Sequence, residues 1–174
     1  MAKNVGKTHG YLAGTDEERL EDLHSMFANK NINAIFSVRG GYGSGRLLDK
    51  IDYNLIKRNP KIFVGYSDIT ALQMAFLKKS GLVSFAGPMV AVDFWKDQVD
   101  EFTEEFFWNL LTNSKKIGKL INPDNENFYS LTKGRGEGQL IGGNLALLMS
   151  LLGTPYHPNL KNSIILVEEI RKEK

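Results

Sequence analysis

The chain has 174 residues, 42% of them hydrophobic and 24% charged, with a formal net charge of +2. This length suits one domain or slightly more, and the apolar share is too high for a disordered chain. The near-neutral charge gives no pointer to nucleic acid or to an anionic membrane, and the absence of cysteine excludes disulfides, thiolate metal sites and a thiol nucleophile.

The histidines and the apolar runs exclude further classes of protein. The chain has three histidines, His9, His24 and His157, and their spacing fits no metal motif. The apolar runs are far shorter than the ~18 residues of a membrane helix, and the first residues contain no stretch typical of a signal peptide. We therefore expect a cytoplasmic protein without a metal, a membrane or a nucleic-acid partner.

Helices and strands alternate along the first 112 residues. Thr15 and Glu18 form a capping box that predicts a helix over about 16–28. Strands are predicted at 34–38, 61–65 and 82–86. Further helices are predicted from the apolar residues Leu47, Leu48, Ile51 and Ile56, from Ser67 to Gly81, and near 98–112. This alternation predicts an α/β fold with a largely parallel sheet and flanking helices.

The second part of the chain changes in composition. Residues 112–137 are rich in Asn, Lys and Gly and predict a linker with one short strand, at 128–131. A helix is predicted at 145–152 and a strand at 164–167. The chain reaches a helix before any strand and stops just after a buried strand, so we expect it to be a fragment.

Ser67 gives the sharpest chemical signal. It lies between a predicted strand and a predicted helix, which is the context of a nucleophile elbow, although Ile69 stands where the full G-x-S-x-G pattern has glycine. The N–H groups and the dipole of a helix N-terminus would suit an oxyanion. The alternative is that Ser67 simply caps the helix.

Two further groups could take part in chemistry. The loop at 40–45 holds four glycines and could bind an anion through its N–H groups, or it could be only a tight connection. Arg39 and Arg46 could bind a carboxylate or hold this loop. Glu168 and Glu169 follow a strand and could orient the histidine of a triad, or form a solvated strand end.

Short motifs in a fixed order extend over nearly the whole chain. They are Tyr-Leu-Ala-Gly-Thr-Asp-Glu-Glu-Arg at 11–19, Arg-Gly-Gly-Tyr-Gly at 39–43, Gly-Tyr-Ser-Asp-Ile-Thr-Ala-Leu at 65–72, Gly-Pro-Met at 87–89, Gly-Gly-Asn-Leu at 142–145, Gly-Thr-Pro at 153–155 and Leu-Val-Glu-Glu at 166–169. Together they resemble the L,D-carboxypeptidases, serine peptidases that include the muramoyl-tetrapeptide carboxypeptidases and the microcin C immunity proteins.

The resemblance implies a catalytic machinery. Ser67 would be the nucleophile and Glu168 the acid of a Ser-His-Glu triad, with Glu169 as the fallback because the family usually shows Glu-Asp there. Backbone N–H groups near Gly41 and Asp68 would form the oxyanion hole. The implied reaction is hydrolysis of the amide bond before a terminal D-amino acid, typically D-Ala of a cell-wall tetrapeptide, without a metal or organic cofactor.

The resemblance also implies a domain plan and a partner. Residues 1–111 would be the nucleophile domain, 112–137 a linker, and 138–174 the start of a smaller second domain, α/β or β-rich. The substrate would be a small peptide with a free C-terminal carboxylate, which Arg39 could clamp, and a homodimer is expected. A peptidyl-nucleotide antibiotic as substrate, or a binding module without catalysis, remain alternatives.

This sequence departs from the family at three places. The strand and helix that precede the Tyr-Leu-Ala-Gly motif are absent, and so is the distal segment that carries the catalytic histidine. Residues 84–86 read Ser-Phe-Ala, where a histidine is common. We therefore expect the 174-residue chain alone to be inactive or nearly so, and to self-associate through exposed edges.

Overall fold

A computed structural model describes residues 1–95, 99–120, 122–123 and 129–169. Its helices are α1 (Asp16–Ala28), α2 (Tyr53–Arg58), α3 (Thr70–Ser80), α4 (Glu101–Thr112) and α5 (Leu145–Ser150). Its strands are β1 (Ala34–Phe36), β2 (Ile62–Gly65), β3 (Phe85–Ala86), β4 (Gln139–Asn144) and β5 (Ser163–Glu168). Two 3₁₀ turns, Ser44–Leu47 and Ser67–Ile69, lie after β1 and β2.

The first three strands form a parallel sheet in the order β1-β2-β3. Ala34 pairs with Ile62 and Phe36 with Val64, so the carboxyl ends of β1 and β2 lie at the same edge. The predicted parallel α/β fold is confirmed. Because the loop at 40–45 and the turn at Ser67 follow these two strand ends, the sheet brings the two strongest sequence signals together.

The helix ends follow the local signals. The Thr15 hydroxyl accepts a hydrogen bond from the Glu18 N–H while the Glu18 carboxylate accepts one from the Thr15 N–H, as the capping box predicts. Helix α3 ends at Gly81, whose φ of 72° is left-handed and favours glycine. Among the described residues, no helix has the length and apolar character needed to cross a membrane.

A cluster of three phenylalanine rings lies at the centre of the core. The Phe63 and Phe76 rings meet edge to face at 5.0 Å between centroids, and the Phe27 ring lies 5.7 Å from Phe76. All three side chains are buried, so α1, β2 and α3 share one apolar centre. Offset and edge-to-face contacts of this kind stabilise a core beyond the area they bury.

The second, two-stranded parallel sheet packs onto the same core. Strand β4 pairs with β5, and Ile141, Leu148 and Leu151 join the buried cluster that contains Phe27 and Phe76. Residues 139–151 therefore contact the α3 side of the first sheet directly. The predicted boundaries at 111 and 137 stay predictions.

Several predicted elements are wrong in extent. The single helix expected across Leu47–Ile56 is a 3₁₀ turn followed by α2, because Asp52 starts a new helix by accepting the Leu55 N–H. Residues 129–131 form no strand, and residue 128 lies outside the described residues. The strand at 82–86 is only two residues long. Strand β4 has no counterpart among the predicted elements.

Candidate active site

Ser67 sits on a strained turn between β2 and α3. Its φ is 59°, in the left-handed region that non-glycine residues rarely adopt. Such a conformation costs about 1–3 kcal/mol and persists at functional sites, nucleophile elbows included. The side chain caps neither the 3₁₀ turn nor α3, so the helix-cap interpretation of Ser67 is wrong.

Gly40 lies directly against the Ser67 side chain. A Cβ placed on Gly40 would come within 3.1 Å of Ser67 Cβ, 3.2 Å of Ser67 Oγ and 3.5 Å of the Asp68 nitrogen. Only glycine therefore fits here without moving the serine. The sequence prediction named Gly41, which is exposed and left-handed, and missed Gly40. In the sequence, no local signal distinguishes Gly40 from the neighbouring glycines of the same loop.

Side chains hold the glycine loop on two sides. The Asp68 carboxylate is buried and accepts a hydrogen bond from the Ser44 N–H at 2.9 Å. The Arg19 guanidinium donates to the Gly43 carbonyl at 3.1 Å. The loop is thus tied both to the residue after Ser67 and to helix α1.

Asp16 lies at the centre of the charges around this loop. Its carboxylate accepts hydrogen bonds from Arg46 at 3.0 Å and from Arg19 at 2.6 Å. These bonds, from Arg46 above all, outweigh desolvation and lower the pKa of Asp16 to about 2. The carboxylate therefore keeps its charge at any pH that a cell experiences, and Arg46 holds the loop region rather than standing free.

Glu168 reaches the site through strand β4. It pairs in register with Asn144, whose N–H donates to the Thr70 hydroxyl in the first turn of α3 at 3.0 Å. Gly143 allows this approach, because a Cβ there would lie 2.6 Å from Thr70 Oγ1. One carboxylate oxygen of Glu168, Oε1, is buried and has no hydrogen-bond partner in the described part of the chain.

Glu169 has different surroundings. Its carboxylate accepts hydrogen bonds from the Asn144 side-chain amide at 3.3 Å and from the Ala146 N–H at 3.2 Å, at the start of α5. Glu169 thus stabilises the start of α5, whereas Oε1 of Glu168 is available to accept a hydrogen bond. This contrast favours Glu168 over Glu169 as the triad acid.

Tyr66 connects the two regions electrostatically. Burial, followed by the negative charge of Asp93 and its hydrogen bond with the phenol, raises the pKa of Tyr66, and the charge of Glu168 adds to the effect. Asp93 itself accepts the Met89 N–H at 2.8 Å. The residue beside the candidate nucleophile is therefore a neutral phenol close to the candidate acid.

The three histidines are all described, and none is hydrogen-bonded to Ser67 or Glu168. His9 forms a bridge with Leu12, and the Nε2 of His24 accepts the Asp52 N–H. The described residues contain no cluster of three or more His, Asp or Glu that could hold a metal.

Arg39 is exposed beside the glycine loop. It forms no ion pair or hydrogen bond within the described residues, and it lines a cavity of about 640 Å³ together with Gly40, Gly41 and Asp68. The structure therefore places all predicted loop residues at this edge of the sheet, with a free guanidinium among them.

Comparison with known proteins identifies relatives of this chain. Residues 1–87 match the LD-carboxypeptidase N-terminal domain and residues 137–174 the LD-carboxypeptidase C-terminal domain. A probable murein peptide carboxypeptidase of Bacillus subtilis is 41% identical over 174 residues, covering 99% of this chain and 53% of that protein. The microcin C7 self-immunity protein MccF of Escherichia coli is 34% identical over 196 residues, covering 98% and 56%.

A solved structure agrees with these matches. An MccF-like protein from Bacillus anthracis superposes with a TM-score of 0.88 and 37% identity, covering 97% of this chain and 56% of that one. The chain spans about half the length of the curated relatives it matches.

The strain at Ser67 predicts an unusual order of stabilities. We expect Ser67→Gly to be more stable than Ser67→Ala by about 1 kcal/mol, because glycine adopts the left-handed conformation without a Cβ clash. The measurement is urea denaturation followed by circular dichroism. Ser25, inside α1, is the matched control, where the alanine variant should be the more stable. An equal or reversed order at Ser67 would show that the turn is relaxed.

The contact between Gly40 and Ser67 predicts a defect at the nucleophile. Gly40→Ala should slow labelling of Ser67 by a fluorophosphonate about tenfold or more, because a shift of a fraction of an ångström misplaces the reacting atom. Mass spectrometry measures the rate. Gly45→Ala in the same loop is the control, since its Cβ would meet no atom within 4 Å. Equal slowing in both variants would contradict a specific contact.

Proposed function

Since this chain belongs to the LD-carboxypeptidase family, we propose that it supplies the nucleophile and the acid of a serine peptidase. The enzyme hydrolyses the amide bond before the C-terminal D-amino acid of a murein tetrapeptide, a step of peptidoglycan recycling. The observation that carries the proposal is the left-handed Ser67 at the end of β2, with Gly40 packed against its side chain. A merely structural serine has no need of this strained, crowded position.

The chemistry follows from this geometry. Ser67 Oγ attacks the carbonyl carbon of the scissile amide while its proton passes to an imidazole. The N–H groups of the glycine loop and of Asp68 stabilise the oxyanion. The C–N bond then breaks, the D-amino acid leaves with the proton from the imidazole, and an acyl-serine ester remains. Water hydrolyses this ester with the same imidazole as base.

The base is the part of the triad that these residues do not supply. None of His9, His24 and His157 is bonded to Ser67 or Glu168, so we propose that the imidazole comes from a part of the protein outside these 174 residues. The buried Oε1 of Glu168, which has no partner among the described residues, would accept its N–H. Without it, we expect at most the residual acceleration of ~10³–10⁴-fold that an oxyanion hole and binding provide.

Arg39 supports a substrate with a free carboxylate. Its guanidinium is exposed beside Gly40 and Gly41 and can bind a carboxylate through two parallel hydrogen bonds. A C-terminal D-amino acid presents such a group next to the scissile bond. The relationship to the immunity protein MccF makes a peptidyl nucleotide the second candidate substrate.

The cellular location, the partners and the oligomeric state stay predictions from the sequence. We predict a cytoplasmic location, no nucleic-acid or membrane partner, and a homodimer. Strand β5 exposes four successive aliphatic side chains, at 164–167, which is consistent with self-association of the chain.

The substrate proposal predicts a stereospecific release. The complete gene product should liberate D-Ala from a murein tetrapeptide and leave the same peptide ending in L-Ala intact, and Ser67→Ala should abolish turnover. Chiral amino-acid analysis measures both products. Cleavage of a peptidyl nucleotide alone would transfer the assignment to the second substrate. Cleavage of neither substrate by a protein whose Ser67 does react with a fluorophosphonate would make the substrate assignment wrong.

The two adjacent glutamates predict different losses. Glu168→Gln should lower kcat about 10⁴-fold, because the imidazole loses the carboxylate that orients it and stabilises its charge. Glu169→Gln should reduce kcat by less than about tenfold, since an amide oxygen can still accept the Ala146 N–H. Steady-state kinetics of the complete gene product decide, and the reverse order would assign the acid to Glu169.

A further inference from the structure

The peptide group that joins Gly43 to Ser44 is held at both of its polar ends. Its carbonyl oxygen accepts a hydrogen bond from Arg19 Nη1 at 3.1 Å, and its N–H donates to Asp68 Oδ2 at 2.9 Å. A peptide group is planar, so fixing both ends fixes its orientation. The two partners are charged, and charge-assisted hydrogen bonds are roughly twice as strong as neutral ones.

Arg19 is itself held in place. Its Nη2 donates to Asp16 Oδ1 at 2.6 Å, and the two side chains are only 14% and 11% exposed. The guanidinium packs on Gly43, because a Cβ at that residue would lie 3.0 Å from Nη1. The φ of Gly43 is 108°, so this turn exists only while glycine occupies it.

The other end of the clamp belongs to the nucleophile turn. Asp68 follows Ser67 directly, and its carboxylate is buried. Through this bond the position of Ser67 and the orientation of the Gly43–Ser44 peptide depend on each other. Gly40, on the same loop, is the residue that meets Ser67 Oγ.

We propose that Arg19 and the Asp68 carboxylate are positioning residues that clamp the Gly43–Ser44 peptide and thereby hold the N–H groups of the glycine loop against Ser67. This rests on the proposed function for its kinetic consequence. An oxyanion forms only in the transition state, so a loosened loop lowers kcat and leaves KM nearly unchanged. Because one peptide is held from both ends, releasing either end suffices to free it.

The test is a double-mutant cycle in the complete gene product. Arg19→Met and Asp68→Ala should each lower kcat about 10–100-fold with KM within about twofold, and the double variant should be no slower than the worse single one. Asp68→Asn should lower kcat less than Asp68→Ala does, because its amide oxygen still accepts the Ser44 N–H. Lys3→Gln, which breaks the exposed ion pair between Lys3 and Glu21 of α1, is the control and should match the wild type.

Hydrogen exchange of the backbone separates this proposal from the proposed function. The amides of Ser44 and Arg46, which donate to the Asp68 carboxylate and to the Gly43 carbonyl, should exchange at least tenfold faster in Arg19→Met than in Lys3→Gln, while those of α3 keep their protection. If the wild type cleaves neither substrate, the proposed function fails, and the exchange rates alone decide the clamp. The proposed clamp would be overturned if amide exchange were unchanged in Arg19→Met, or if the loss of kcat in the double variant equalled the product of the two single losses. Should Asp68→Ala not fold, Arg19→Met and Asp68→Asn decide.

Discussion

The parallel pairing of β1 with β2 is the constraint on which the candidate site depends. Because Phe36 and Val64 are paired, β1 and β2 end next to each other at the same edge of the sheet. The glycine loop and the Ser67 turn therefore have to share this edge, where parallel α/β sheets commonly bind their ligands. The contact between Gly40 and Ser67 follows from this register, and a slip of one residue would remove it.

Three carboxylates near this edge differ in how their oxygens are satisfied. Asp16 faces two guanidinium groups, and Asp68 accepts a backbone N–H. Glu168 alone has a buried oxygen that no described group satisfies. Leaving a buried acceptor unpaired costs about 1–3 kcal/mol, and more when it is charged. This cost is understandable where a donor completes the site, as the imidazole of a triad would.

Local signals in the sequence predicted much of this arrangement. The capping box at Thr15, the end of α3 at Gly81 and the position of Ser67 between a strand and a helix were correct because each depends on a few neighbouring residues. Strand β4 was missed because its glycines, Gly142 and Gly143, have low strand propensity. They are there for tertiary reasons, since a Cβ on either would collide with β5 or α3.

The same distinction explains what was missed at the site. The helix-cap alternative for Ser67 stayed open because sequence does not reveal the sign of φ, and Gly40 could not be distinguished from its neighbours Gly41 and Gly43. The clamp on the Gly43–Ser44 peptide joins residues 24 positions apart on both sides. No periodicity or spacing contains that information, which arises only when α1, the loop and α3 are packed together.

Helix α3 joins the two halves of the candidate machinery. Its first turn follows the 3₁₀ turn Ser67–Ile69, and the buried Thr70 hydroxyl in that first turn accepts the N–H of Asn144. Asn144 in turn pairs with Glu168 across β4 and β5. The candidate nucleophile and the candidate acid are therefore both connected to the same end of α3, through one hydrogen bond and one strand register. Since Ile141 and Leu148 belong to the core cluster that contains residues of α3, the position of Glu168 relative to α3 is maintained by the same packing that stabilises the fold.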